Sequence, residues 1–438
     1  MNRKRPGGES SIGFNESWYY ASAKELHDYP VLEGDIRADV CIVGAGYTGI
    51  SAALELAQRG YSVVVIESHR VGSGASGRNG GVLGMGQRKG QVELKKWFGR
   101  DAAQTLWKIA CDANQLVRDR VERFNIDCDL ADGELTAAHK KKYESELWEY
   151  TELLETEYAY TKRQNVSQEE VSDILGVSSL YGGYIDYQAG HVHPLNLALG
   201  QARAARDLGV RIFENSKAGR YEPNPNAPSL IDTYTTHGKV TSDFMVIACN
   251  GYLDNLEPRA SRLQMPINNF MLATEPLGEQ RARSINRDNL AVVDTRFVVN
   301  YFHNSADHRL LFGGGENYST RFPRDIGAFV RKHMLKIYPE LEDVKIDYGW
   351  GGTLAITLRR MPNFGRKGDN VYWAQGYSGH GLAMANMGGK LVAEAIAGQA
   401  EQFDLFANIK QLPFPGGKLL RWPALVAGML YYSMLDRL

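Results

Sequence analysis

Cysteine is scarce: four in 438 residues, Cys41, Cys111, Cys128 and Cys249, with no C-x-x-C pair. That excludes a disulfide framework. Cys41 and Cys249 stand inside apolar runs, where a cysteine acts as a small hydrophobe. This usage predicts a reducing compartment, the cytoplasm. Charge of one sign is also lacking. With 50 basic and 51 acidic residues the net charge is −1, without the positive excess that nucleic-acid binding needs. Arg3-Lys4-Arg5 has no apolar segment behind it, so it is not a secretory signal. The uncharged stretch Trp422 to Leu435 is fourteen residues long, short of the ~20 of a membrane span. It reads as a helix packed on the body, with interfacial membrane contact the lesser alternative. There is no H-E-x-x-H, and only His191 and His193 form a tight histidine pair, so no metal site is expected. A serine nucleophile elbow is excluded too. Ser378 would need glycine at 380, where His380 stands, and Ser76 would need it at 78, where Arg78 stands.

What is present is ample apolar matter. With 43% hydrophobic and 23% charged residues, the chain reads as a globular protein of two or three domains. The stretch from Ala38 to Gly81 organises it. A short apolar run, Val40-Cys41-Ile42-Val43, turns through Gly44-Ala45-Gly46-Tyr47-Thr48-Gly49. A helical pattern follows, with Ile50, Ala53, Leu54 and Ala57 on one face and Gly60 at its end. Then comes Val63-Val64-Val65-Ile66 and Glu67. Gly44 permits the tight turn, Gly46 lets a pyrophosphate near the backbone, and Gly49 lets helix pack on strand. The helix N-terminus then offers free N–H groups to phosphates. Glu67 stands where an acid binds a ribose hydroxyl, which makes NADP the least favoured dinucleotide. The motif alone is weak evidence, but in strand–helix–strand–acid context it is strong.

Before this unit, residues 1–37 read as a leader, with Trp18-Tyr19-Tyr20 as an anchor. After it comes Gly72-Ser73-Gly74-Ala75-Ser76-Gly77-Arg78-Asn79-Gly80-Gly81. This is either a flexible loop or a ligand loop. Its place past the second strand, with Arg78 and Asn79 among small residues, favours contact with the middle of a dinucleotide. Val92 to Phe124 reads as one helix, with Asp101-x-x-Gln104 resembling a capping box. Tyr143 to Tyr158 is a second helix, and Ser167-x-x-Glu170 caps a third. These begin a second domain inserted into the first. Pro194 suits the first turn of a helix and His193 its cap, which explains His191 and His193 without catalysis. Leu230–Thr235 and Val240–Cys249 read as strands, strands dominate Met265–Gly315, and Phe329–Ile337 is helical. Near the end Val371-Tyr372-Trp373 runs into Gly376-Tyr377-Ser378-Gly379-His380-Gly381 and a further helix. The chain closes as it opened, with a helix N-terminus that favours an anionic group.

These motifs resemble the flavin amine oxidase superfamily of D-amino-acid oxidase, glycine oxidase and sarcosine oxidase, most of all its gamma-glutamylputrescine oxidoreductase branch. The resemblance covers almost the whole chain. It rests on Val43–Gly49, Gly74–Gly81, Gly190–Ala198, Gln375–Gly381 and Phe414-Pro415-Gly416-Gly417. It implies an α/β (α+β overall) fold: a Rossmann-type FAD-binding domain from both chain ends, with an inserted β-sheet-plus-helix substrate domain. The expected boundaries are 38–90, 180–255 and 362–438 for the first, and 91–179 and 256–361 for the second. By motif match, Gly44, Gly46, Tyr47, Thr48 and Gly49 receive FAD, and Glu67 its adenosine ribose. Ser76, Gly77, Arg78, Asn79, Gly80 and Gly81 would contact pyrophosphate and flavin. Gly376, Gly379, His380 and Gly381 would follow the flavin pyrimidine edge, with His380 stabilising charge there, and Ala218 would offer its backbone to adenine. The sarcosine-oxidase branch bonds flavin to a cysteine late in the chain. Here the last is Cys249, so non-covalent FAD is implied. The approach to the closing strand is altered to Leu358-Arg359-Arg360-Met361-Pro362.

The implied reaction is oxidation of an amine C–N bond, most of all in a γ-glutamylated amine such as γ-glutamylputrescine, giving imine and then aldehyde plus ammonia. Oxygen or an electron carrier would be the acceptor. Arg359 and Arg360 are candidates for a substrate carboxylate, or for surface pairing. Three alternatives stay open: an oxidase or dehydrogenase of a free, N-methylated or cyclic amino acid, an NAD-dependent dehydrogenase, and a non-catalytic flavoprotein.

Overall fold

The computed structural model describes residues 16–317 and 322–414. The Arg3–Arg5 start, the motif beyond Phe414 and the stretch Trp422–Leu435 lie outside the described residues. In chain order the strands begin with β1 (Gly34–Val43), β2 (Val63–Ile66), β3 (Val82–Leu83), β4 (Ala131–Ala137), β5 (Arg163–Val166) and β6 (Gly183–His191). They continue as β7 (Arg211–Phe213), β8 (Arg220–Asn224), β9 (Ala227–Tyr234), β10 (Gly238–Ile247), β11 (Met265–Thr274) and β12 (Ala291–Asp294). The last are β13 (Tyr301–Asn304), β14 (Leu310–Asn317), β15 (Ile346–Ile356), β16 (Asn363–Lys367) and β17 (Val371–Gln375). The helices are α1 (Trp18–Ala21), α2 (Tyr47–Gln58), α3 (Gln91–Phe98), α4 (Arg100–Arg123), α5 (Lys142–Tyr158) and α6 (Gln168–Leu175). After them come α7 (Pro194–Asp207), α8 (Pro258–Ser261), α9 (Glu279–Ile285), α10 (Ile326–Ile337), α11 (Leu382–Ile396) and α12 (Glu401–Ala407).

The strands form two sheets. The first has the order β16-β17-β10-β1-β2-β7, with β9 pairing β10 and β8 pairing β9. Strands β17, β10, β1, β2 and β7 are parallel. Val40–Val43 of β1, Met245–Ile247 of β10 and the whole of β2 and β17 are buried, which is why they read as continuous apolar runs. The pleat sends Val40, Ile42, Val63 and Val65 into the core with α2, α4, α7 and α11, and Cys41, Val43, Val64 and Ile66 into the core on the other face. The second sheet has the order β15-β11-β14-β13-β12-β4-β6-β3, with β5 on β6. Its own core takes in Phe270, Phe302, Phe312, Val330 and Tyr338, against α6, α9 and α10.

Several sequence expectations shift. Gly99, with φ +84°, breaks the single helix expected over Val92–Phe124 into α3 and α4. Gly99 is also the N-cap of α4, so Asp101 and Gln104 make no capping box. Gly60 follows the C-cap Arg59 of α2. The expected leader ends early, because β1 starts at Gly34. Strands β3 and β6, expected within the segments 38–90 and 180–255 of the nucleotide domain, pair in the second sheet. The glycine loop 72–81 therefore leads straight from one sheet into the other. Ser167 and Glu170 do form a full capping box on α6. The aromatic anchor is seated too. Trp18 and Tyr19 are buried around His193, the N-cap of α7.

Candidate active site

The site is built at the seam of the two sheets. At the end of β1, Gly44 has φ +107°, and a Cβ there would meet Ala248 O at 2.8 Å. A Cβ on Gly49 would stand 1.9 Å from Gly44 O, so no larger residue lets α2 start this close to its own turn. Gly46 caps α2 with no side-chain hydrogen bond, leaving N–H groups for an anion. Tyr47 N–H donates to Ser76 Oγ at 3.0 Å, which brings the loop 72–81 onto that helix end. A Cβ on Gly46 would meet the same Ser76 Oγ at 2.8 Å.

Glu67 follows β2 beside this turn. Its Oε2 accepts from Ala45 N–H at 2.8 Å, and its Oε1 from His69 N–H at 2.9 Å and the Ser68 hydroxyl at 3.0 Å. Ser216 N–H donates to Glu67 O at 2.7 Å, which brings the segment carrying Ala218 to the same end of the sheet. Asn79 braces the second loop. Its amide donates to Ala75 O and Ser76 O, and its Oδ1 accepts from Gly81 N–H at 2.8 Å. Arg78 turns towards the second sheet, donating to Ser73 O at 2.8 Å and to Gly351 O in β15 at 3.0 Å. Gly77 packs on α7, where a Cβ would meet Leu195 at 2.8 Å, and Gly80 packs on Tyr301 of β13, at 2.3 Å.

The closing turn comes from β17. Gly376 N–H donates to Asn250 Oδ1 at 3.0 Å, and Thr48 Oγ1 lies 2.7 Å from the Tyr377 hydroxyl. The two glycine turns are thereby joined. A Cβ on Gly389 of α11 would stand 2.3 Å from Thr48 O, so α2 and α11 cross in close contact. Gly381 is the N-cap of α11, without side-chain capping, and Gly379 and His380 precede it. The His380 Nε2 is buried and has no hydrogen-bond partner within the protein. Burial, then the charge of Arg88, pushes this imidazole down to about 4, so it is neutral at pH 7.

Sequence reasoning missed two residues here. A Cβ on Gly84 would meet Glu134 Oε2 at 3.0 Å and His380 Cε1 at 3.1 Å. Glu134 lies on β4 of the second sheet, and burial, then the charge of Asp186, pushes its carboxyl up to about 7. The second is His303 on β13. Its Nε2 would stand 3.3 Å from a Cβ on Gly81, and its ring stacks on His191 at 4.1 Å. Burial pushes His303 down to about 4. The one available signal was Gly133, since an isolated glycine inside a strand marks a bulge that re-aims its neighbour. Nothing local marked His303. Arg359 and Arg360 occupy the turn between β15 and β16. Arg359 lies over the Trp97 ring at 5.7 Å, and the Thr357 N–H of this turn donates to Ser378 Oγ at 3.2 Å. The turn thus packs against Gly376–Gly381.

A dinucleotide fits these residues. There is a helix end whose N-cap glycine brings no side chain, for phosphates, an acid beside it for a ribose, and a glycine segment faced by the unpartnered Nε2 of His303, Oε2 of Glu134 and Nε2 of His380. The family model described as FAD dependent oxidoreductase matches residues 39–395. The chain belongs to the FAD-dependent oxidoreductase (DAO) family. Among curated relatives, the gamma-glutamylputrescine oxidoreductase of Escherichia coli (strain K12) is 40% identical over 96% of this chain and 98% of its own. A probable oxidoreductase OrdL of Haemophilus influenzae is 38% identical over 96% of this chain and 97% of its own. Among solved structures of this fold, glycine oxidase from Geobacillus kaustophilus aligns with TM-score 0.70 at 20% identity, over 83% of this chain and 95% of that one. L-proline dehydrogenase from P. horikoshii aligns with TM-score 0.68 at 22% identity, over 86% of this chain and 98% of that one. As a DAO-family member the protein is an FAD-dependent oxidoreductase of mixed α/β fold with two sheets. Among the described residues no helix is long and apolar enough to cross a membrane, and no cluster of side chains suits a metal.

Proposed function

We propose that this protein oxidises the C–N bond of a γ-glutamylated amine such as γ-glutamylputrescine, giving an imine that hydrolyses to aldehyde and ammonia. The observation that carries this is 40% identity to gamma-glutamylputrescine oxidoreductase along nearly the full length of both chains. Bound FAD would supply the redox chemistry, as the hydride acceptor for the carbon that bears the nitrogen. The chain's residues hold and orient. Gly44, Gly46, Tyr47, Thr48 and Gly49 present the α2 N-terminus to the pyrophosphate, and Glu67 takes the ribose, with Ala218 near the adenine. Ser76, Gly77, Arg78, Asn79, Gly80 and Gly81 line the middle of the cofactor. Gly376, Gly379, His380 and Gly381 bring the positive end of α11 to the flavin edge.

FAD is held without a covalent bond, because no cysteine follows Cys249. Arg359 and Arg360 receive the substrate carboxylate, on a turn packed against Gly376–Gly381. The FAD domain takes the first sheet and the substrate domain the second, a reading that the strand pairing supports. Oxygen or a carrier takes the electrons onward, and the few, unpaired cysteines support a cytoplasmic location. The test is an anaerobic flavin-bleaching screen over amines, γ-glutamylated amines and amino acids. Fastest bleaching by γ-glutamylated amines supports the reading. Bleaching by free amino acids alone removes the γ-glutamyl specificity, and bleaching only by a hydroxy acid removes the amine chemistry.

A further inference from the structure

We propose that Glu134 is the base that takes the proton an ammonium substrate must shed before its C–N bond is oxidised, an inference that rests on the amine reading above. A protonated nitrogen has no lone pair to assist departure of the hydride, so the site needs a proton acceptor. Glu134 is placed to be one. Its Oε2 and the His380 ring reach the same point over Gly84, at 3.0 and 3.1 Å from a Cβ built there. One comes from the second sheet, the other from the closing turn of the first. Gly84, just past β3, lies between them.

The carboxylate is aimed there by a bulge. The β4–β6 register shifts between Asp132 and Glu134, across Gly133 with φ +95°. Its hydrogen bonding is left incomplete. Oε1 accepts only the Thr136 hydroxyl, at 3.2 Å, and Oε2 is buried with no partner within the protein. A buried oxygen in that state is costly unless a ligand completes it. Its cross-strand neighbour Asp186 is the contrast. That carboxylate accepts Tyr160 at 2.7 Å, Arg163 at 2.9 Å and the backbone N–H groups of Gln188 and Ala189. The nearby Arg163 cation donates its Nε–H to Asp186, and its buried Nη1 has no hydrogen-bond partner within the protein.

The charged and titratable groups facing Glu134 are Asp186 and Tyr184 on β6, Arg163 on β5 and His380 on the closing turn, with Arg88 beside His380. Burial and Asp186 raise the Glu134 carboxyl to about 7, against the lowering by Arg163 and Thr136. A base near 7 both attracts an ammonium and keeps its proton at working pH. His380, at about 4, is too weak a base for this. In the step, one N–H bond of the ammonium breaks and its electron pair stays on nitrogen. An O–H bond forms at Oε2. An ion pair becomes a neutral amine beside a neutral acid, with no change in net charge or oxidation state.

The test uses the purified holoenzyme with Glu134→Gln and Glu134→Asp. Anaerobic flavin reduction by the best amine is followed from about pH 5 to about pH 10. The Gln variant is expected to lose at least ~10²-fold in kcat/KM. The ionisation near 7 vanishes from its profile, leaving that of the amine, while Asp restores part of both. A second readout is independent of turnover. An inert amine, tert-butylamine, has no hydrogen on the carbon bound to nitrogen. Its binding should raise a protonated-carboxyl band in the infrared difference spectrum of the wild type, and none in Glu134→Gln. An unchanged rate and pH profile in Glu134→Gln overturns the proposal. Absence of the infrared band in the wild type overturns it too, even where the Gln variant fails to retain FAD. If no amine bleaches the wild-type flavin, the amine reading itself fails and the role of Glu134 falls with it. If amines bleach it and the Gln variant behaves as wild type, only the role of Glu134 fails.

Discussion

Thr48 Oγ1 and the Tyr377 hydroxyl stand 2.7 Å apart across 329 residues of sequence, and this buried hydrogen bond ties the opening glycine turn to the closing one. The two helices that leave these turns, α2 and α11, pack backbone to backbone at Gly389. The proposed nucleotide site thus brings together turns far apart in sequence.

Tyr377→Phe leaves the Thr48 hydroxyl buried without its partner. We expect a loss of about 1–3 kcal/mol in unfolding free energy and faster release of FAD. Thr48→Val should cost a similar amount, and the double variant less than the sum, because the pair shares one interaction. Urea midpoints and FAD release rates measure both. Additive losses would show that the two hydroxyls act separately.

Acid precipitation of the yellow holoenzyme should leave the flavin in the supernatant. Colour retained in a washed pellet would mean a covalent link that Cys41, Cys111, Cys128 and Cys249 do not suggest by position.

His380→Ala should lower kcat by ~10²-fold with little change in KM, as expected of a group that stabilises charge arising during reaction. A raised KM with unchanged kcat would assign His380 to packing or uniform binding.

Stability should fall on acidification. His193, His303 and His380 are held down, at about 3, about 4 and about 4, chiefly by burial. His193 shows why. Its Nδ1 accepts the Asn196 N–H at 3.1 Å, so its Nε2–H faces Ser22 Oγ, and the neutral ring is the one that fits. In the unfolded chain a histidine takes its proton near ~6.5. Between that value and about 4 the unfolded state binds more protons, so stability present above ~6.5 is lost as pH falls. Glu134 has the opposite sign, because its raised carboxyl stays protonated in the fold while the unfolded chain ionises near 4.5. Its contribution declines as pH rises from 4.5 to about 7. With His191 and His333 also lowered, the histidines outweigh the raised acids Glu134 and Glu214. Urea midpoints should drop from about pH 7 to about pH 4, and a flat or rising trend contradicts this balance.

The nucleotide unit was legible because its physics is local. Gly44, Gly46 and Gly49 have spacing-dependent tasks, and β1 and β2 are apolar on both faces. The cap at His193 was legible from His-Pro alone. Local pattern failed at Gly99, because apolar spacing continues across a break that only the glycine's positive φ creates. It failed again at β6. The sheet that this strand joins is decided by pairing with β4, β3 and β5, which no window of sequence contains. Glu134 was missed for the same reason, since Gly133 marks a bulge but not what the bulge faces. One acid in a strand looks like any other until His380 and Gly84 are brought to it.

The most direct test of the whole account is a single anaerobic turnover with γ-glutamylputrescine, counting products against flavin reduced. The account predicts full bleaching, with one ammonia and one aldehyde released per flavin. Bleaching by this compound without ammonia, or no bleaching while another class of compound reduces the flavin, would contradict it.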